Sequence, residues 1–212
     1  MNKVINFFKT TAGMVLIVTL LVGVGVQIAT GNFFTAYNIS TLTRAASFVI
    51  IVGFAQTIVL LTGGIDLSVA TIGSVCGMAN AIFMVQYGMN PFLSIVLTTL
   101  MGVPLGAING FFITKFKLTP FIVTLATMEI YQGVVYVVTK GMPITGMPDS
   151  AGNFADGVIG GVLPNIVIIM IIICVLLTIM LKKTRFGRYI YALGGNRSCA
   201  KIVGIPTERV EV

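Results

Sequence analysis

Residues 164–181 read PNIVIIMIIICVLLTIML, and residues 182–212, which follow at once, read KKTRFGRYIYALGGNRSCAKIVGIPTERVEV. The first stretch carries no charge and is long enough to cross the roughly 30 Å hydrocarbon core of a bilayer as a helix. The second is polar and basic, and Gly194, Gly195 and Gly204 interrupt it. A change this abrupt marks the point where a span leaves lipid and a water-facing tail begins. Toward the amino terminus five further stretches have the same apolar character: Thr11–Thr30, Ala45–Thr62, Ser68–Val85, Phe92–Thr114 and Phe121–Thr139. The expected fold is all-α, a polytopic membrane bundle of about six transmembrane helices (residues 1–181) with a cytoplasmic segment containing a short docking helix (residues 182–212).

Composition agrees with that class. Hydrophobic residues make up 57% of the chain and charged residues 9%, against about 25% charged in a soluble domain. The net charge of +7 does not indicate a nucleic-acid partner, because the basic residues cluster at the ends of apolar runs, where membrane orientation uses them. Cys76 and Cys174 lie inside apolar runs and Cys199 stands apart, so neither a disulfide framework nor a metal site is expected. The chain has no histidine, which removes zinc-hydrolase and histidine-triad chemistry. No cofactor is expected.

With the amino terminus inside, the inner segments hold Lys3, Lys9, Lys115, Lys117, Lys182, Lys183, Arg185, Arg188, Arg197, Lys201 and Arg209, leaving only Arg44 and Lys140 outside. The bias fixes the expected orientation. Lys3 and Lys9 precede the first span, but its long apolar core and the lack of a small-residue cleavage site make it a retained span. The segment Lys140–Leu163, with Gly141, Pro143, Gly146, Pro148, Asp149, Gly152, Asn153, Asp156 and Gly157, reads as an irregular outer loop, either a connector or a face for an external protein. Pro164 fits the first turn of the sixth helix. Gly73 with Gly77, and Gly102, Gly106 and Gly110, form small-residue stripes expected to let neighbouring helices approach closely. Pro104 falls within the second stripe, where it kinks the helix or frees a carbonyl.

Asp66 and Glu129 are the two acids near membrane depth, where an ionised side chain needs protein, water or an interface. Asp66 follows Gly63 and Gly64 and precedes Ser68, so it either caps the third helix or contributes to a gate or solute contact. Glu129 and Gln132 are three apart and share a helix face. Together with Gln56, Asn80 and Asn109 they either line a path for a neutral polar solute or hydrogen-bond between helices. The chain lacks a phosphate-binding Gly-rich loop with its lysine and an array of intramembrane acids and bases, so no energy source is evident. In the tail, Asn196 is expected to cap a helix over Arg197–Val203 that Gly204 and Pro206 end. That helix would place Cys199, Ile202 and Val203 on one apolar side and Arg197 and Lys201 on another. Two turns of helix need a surface to pack against.

Three stretches carry a resemblance: GGIDLS at Gly63–Ser68, KLTPFIVTLATM at Lys117–Met128, and FGRYIYALGGNRSCAKIVGIP at Phe186–Pro206. They resemble the permease subunits of bacterial importers of the ATP-binding-cassette kind that carry ribose, xylose, arabinose or autoinducer-2, within the branched-chain-type permease superfamily. The resemblance extends over nearly the whole chain. It implies a multi-pass protein of the bacterial cytoplasmic membrane, without an ATPase site of its own, that moves a ribose-like sugar or similar small polar solute inward. The implied partners are a cytoplasmic ATP-binding subunit, an extracytoplasmic solute-binding protein and a second permease copy. Arg188, Gly194, Gly195, Asn196, Ala200 and Gly204 would shape the element that couples to the ATPase, with Ala200 at a close contact. Members of that family continue through further spans, so Thr207, Glu208 and Glu211 read as the capped, acidic start of another helix. A stand-alone carrier or channel for a small polar solute is the alternative.

Overall fold

The computed structural model describes residues 10–159 and 163–212, with the side chains of residues 153–156 excluded. Lys3 and Lys9, and the side chains of Asn153 and Asp156, therefore lie outside what is described. The chain forms α1 (Thr11–Thr30), α2 (Ala36–Leu61), α3 (Val69–Val85), α4 (Pro91–Phe116), α5 (Pro120–Thr139), α6 (Asp149–Asp156), β1 (Val158–Ile159), β2 (Leu163–Pro164), α7 (Asn165–Lys183), α8 (Arg185–Gly195), α9 (Arg197–Ile202) and α10 (Thr207–Glu211). Among the described residues five helices, α1, α2, α4, α5 and α7, are long and apolar enough to cross a membrane, and α3 is the shorter sixth at 17 residues. Its length is about 25 Å at 1.5 Å per residue. The protein is an all-α polytopic membrane bundle.

Local chemistry explains most of the boundaries. The Thr10 hydroxyl accepts from the Gly13 N–H at 3.2 Å to open α1, and Gly31, at φ +71°, closes it in the left-handed region. The second helix begins at Ala36, nine residues before the expected Ala45. Its polar start needs no outside partners for these side chains, because the hydroxyls of Thr41, Thr43 and Ser47 donate to carbonyls four residues back in the same helix. Arg44, expected outside the spans, therefore lies within α2, about 26 Å along the axis from Leu61.

The closest packing joins α3 to α4 and α5, and α2 to α7. The glycine stripes contribute less than their spacing suggests. A Cβ placed on Gly73, Gly77 or Gly106 would meet nothing within 4 Å, whereas one on Gly102 would meet Cys76 Sγ at 3.7 Å and one on Gly110 would meet Val212 at 2.6 Å. Periodicity put these glycines on stripes, but it is the relative rotation of α3 and α4 that decides which of them meets a neighbour. The outer segment is also more ordered than a plain loop, since it holds α6 and a two-residue antiparallel pairing, Val158 with Pro164 and Ile159 with Leu163. Pro164 is consequently buried in that pairing and stands just before α7, whose first residue is Asn165.

Candidate functional site

At the end of the bundle where α2 stops, the chain reverses through Thr62–Ser68. Gly63 N–H donates to the Leu60 carbonyl at 3.0 Å and Gly64 N–H to the Val59 carbonyl at 3.1 Å, with Gly63 at φ +86°, a geometry glycine adopts freely. Asp66 Oδ1 then accepts from the Ser68 N–H at 2.8 Å and from the Ser68 hydroxyl at 2.7 Å. The carboxylate thus fastens the residue before α3 and does not reach the first N–H groups of the helix itself. Ser68 is fully buried, and its Oγ also accepts from Asn109 Nδ2 of α4 at 2.7 Å. Asn109 is 4% exposed, and its Oδ1 has no partner.

Two further side chains hold the loop. With its amide turned to satisfy both partners, Gln56 donates to the Asp66 carbonyl at 3.1 Å and accepts from the Asp66 N–H at 3.2 Å. Thr124 of α5, 2% exposed, donates from Oγ1 to the Ile65 carbonyl at 3.2 Å. The structure therefore gathers Gln56, Gly63, Gly64, Asp66, Ser68 and Asn109 at one end of the bundle. Thr124 escaped the sequence reading, although it lies within the quoted KLTPFIVTLATM stretch, because a threonine in a span more often bonds back to its own helix, as this one also does to the Pro120 carbonyl at 2.9 Å.

The remaining members of the proposed path lie elsewhere. Asn80 takes the Ser94 hydroxyl onto Oδ1 at 2.5 Å, joining α3 to α4. Glu129 and Gln132 are exposed on the outer face of α5, Glu129 about 14 Å from the start of the helix and so near the middle of the span. An acid such as aspartate at a span centre costs about 2.5–3.5 kcal/mol on insertion scales, a cost that water or protein beside Glu129 would remove.

The tail packs onto the end that carries the Gly63–Gly64 break. At the exit of α7, Thr184 accepts from the Gly187 N–H at 3.1 Å and donates to the Met180 carbonyl at 2.6 Å, turning the chain into α8. Gly187 sits on the Leu181 carbonyl and Gly194 on the Leu61 carbonyl, with no room for a Cβ at either position. The double glycine, which the sequence shows as an interruption of the tail, is the end of α8, whose Ile190 (1% exposed) and Leu193 form a core with Leu181 and Val210. Asn196 Oδ1 accepts from the Cys199 N–H at 3.0 Å to start α9, which ends one residue earlier than expected, at Ile202. Gly204, at φ +81°, lets the Ile205 N–H return to the Ala200 carbonyl at 3.0 Å.

Ala200 is 3% exposed, buried against its own chain, while Ile202 is 83% and Val203 73% exposed and Cys199 is exposed beside them. Arg188 and Asn196 are exposed, and a Cβ on Gly195 would meet nothing. Thr207 forms no cap, being the buried first residue of α10 with Pro206 at the cap position. Arg197 pairs with Glu211 at 2.7 Å across a hollow of about 540 Å³ lined also by Gly63, Gly64, Lys117 and Lys201. Burial pushes the Glu211 carboxyl above its usual range and Glu208 adds to this, with Arg197 pulling the other way.

A family model described as "Branched-chain amino acid transport system / permease component" matches residues 38–212. The ribose import permease protein of Bacillus subtilis is 42% identical over 191 residues, which cover 88% of this chain and 58% of that protein. The ribose import permease protein of Haemophilus influenzae is 40% identical over 184 residues, covering 85% and 57%. The D-allose transport system permease protein of Escherichia coli K12 is 35% identical over 208 residues, covering 96% and 63%. The chain thus spans less than two thirds of the length of these relatives. No solved structure matches it. A bundle of apolar helices, a basic tail seated on a double-glycine break and a family match over residues 38–212 converge: the chain is a multi-pass membrane protein belonging to the permease-component family of branched-chain amino acid transport systems.

Proposed function

We propose that this chain forms the membrane part of an ATP-driven importer of a monosaccharide or similar small polar solute in the bacterial cytoplasmic membrane, with its basic end facing the cytoplasm. A cytoplasmic ATP-binding subunit would supply the energy, an extracytoplasmic binding protein would deliver the solute, and a second permease copy would complete the pore. The observation that carries this reading is the water-facing edge of α9. A six-residue helix is not stable alone, and here Ala200 seats it on the protein while Cys199, Ile202 and Val203 are turned away from it. An apolar edge on a fixed base, at the basic end of the bundle, fits a groove on a soluble subunit. The names of the relatives, a ribose import permease protein and a D-allose transport system permease protein, favour a sugar.

The reading makes the Ile202 and Val203 side chains the contact, with Ala200 beneath them as support. In a transporter assembled with its ATP-binding subunit, Ile202→Glu with Val203→Glu is expected to abolish co-purification of that subunit and solute uptake while leaving membrane insertion unchanged. Lys201→Ala is expected to leave both intact, since exposed charges contribute about 0–1 kcal/mol. Undiminished co-purification and uptake in the double glutamate variant would show that this edge is not the contact, whereas uptake with no ATP-binding subunit co-purifying even with the parent would return the stand-alone carrier to first place.

A further inference from the structure

The exposed acid on α5 is not explained by the network at the other end of the bundle. Glu129, Gln132 and Tyr136 lie within about 60° of one another on a helix that turns about 100° per residue, and all three are exposed. Toward the Lys140 end, Gln132 and Tyr136 line an open hollow of about 490 Å³ together with Met78, Ala81, Met142 and Pro143. The Tyr136 ring lies over Gly141, 3.0 Å from where a Cβ on that glycine would sit. Toward the Pro120 end the same face turns apolar, with Leu125 and Ile122 exposed. Polarity thus runs along one face of α5 from the helix end to mid-span and stops at Glu129.

We infer that this face lines a water-filled entry path for a neutral polyhydroxyl solute, with Glu129 at its floor; the solute class rests on the permease reading above. The chemistry fits that class. A carboxylate accepts from adjacent hydroxyls, an amide both donates and accepts, and an aromatic ring covers the apolar face of a sugar. No cation lines the hollow, and Glu129, about one helical turn beyond Gln132 and outside that lining, puts a carboxylate at the end of the path, which disfavours anions. A hollow of this size falls in the range of small-molecule sites, roughly 300–1,000 Å³.

The test reads water access directly and needs neither the ATPase nor uptake, so it stands if the coupling reading fails. Cys76, Cys174 and Cys199 are replaced by alanine, single cysteines are placed at Glu129, Gln132, Tyr136, Leu125 and Ile130, and membranes are treated with a charged, membrane-impermeant thiol reagent. Ile130 is 60% exposed but about 100° around the helix, on the apolar side. Labelling at Glu129, Gln132 and Tyr136 is expected to run at least about tenfold faster than at Ile130 and Leu125, the difference between water and lipid contact. Ribose is expected to slow labelling at Gln132 and Glu129, and lactate at equal concentration is not. A Glu129→Cys site as inert as Ile130→Cys would overturn the path, and protection by lactate but not ribose would overturn the solute class.

Discussion

Ser68 is the residue through which the buried polar chain passes, donating to Asp66 and accepting from Asn109. Ser68→Ala would leave Asn109 Nδ2 without an acceptor in a residue whose Oδ1 already has no partner, and an unsatisfied buried donor costs about 1–3 kcal/mol. The expected result is a lower melting temperature of the detergent-solubilised protein. Asp66→Asn keeps an acceptor oxygen for the Ser68 N–H and is expected to melt close to the parent, whereas Asp66→Leu loses both bonds to Ser68, each worth about 0.5–1.5 kcal/mol. Normal abundance of Asp66→Asn with no uptake would instead give the Asp66 charge a direct part in transport. The sequence made Asp66 legible as a helix-start residue because it stands between a glycine pair and an apolar run. It could not supply Asn109 as the partner of Ser68, 41 positions away, since that contact depends on how α3 and α4 pack. Glu129 and Gln132 were legible as sharing a face, but whether that face turned toward neighbours or away was not.

Among the elements, α8 departs most from its sequence. Gly194 and Gly195 resemble a turn, yet the helix runs through both because a residue without a side chain is what allows α8 to rest on α2. A signal was present: Gly187 and Gly194 are seven apart and so share a face with Ile190, the pattern of a helix laid closely on another surface. The two glycines make a matched pair of tests. Gly194→Ala forces a Cβ into the Leu61 carbonyl, and overpacking of this kind costs about 1–3 kcal/mol. It is expected to loosen the tail and speed tryptic cleavage after Arg197 and Lys201 in inside-out vesicles. Gly195→Ala meets open space and is expected to leave the cleavage rate unchanged. Equal rates in the two variants would mean that the tail is not held at this contact.

For the molecule as a whole, the spans were legible because lipid imposes a length and an apolar composition that soluble folds do not. Their ends were less so, as the polar start of α2 shows: its hydroxyls are satisfied within their own helix, so the helix begins before the point that hydropathy alone marks. The structure brings Lys117, Arg197 and Lys201 around one hollow, and the proposed orientation, which follows the excess of basic residues, turns that end to the cytoplasm. A cysteine at Lys115 is therefore expected to resist an impermeant reagent in intact cells while one at Met142 reacts. Ready labelling at Lys115 would reverse the orientation. The seat of Gly194 on the Leu61 carbonyl has a mechanical consequence. Two interlocked side chains absorb a small displacement by changing rotamer, but a main chain resting on a main chain has no such torsion to spend. A tail displaced toward α2 therefore bears directly on the end of that helix, the point from which the Asp66 loop departs.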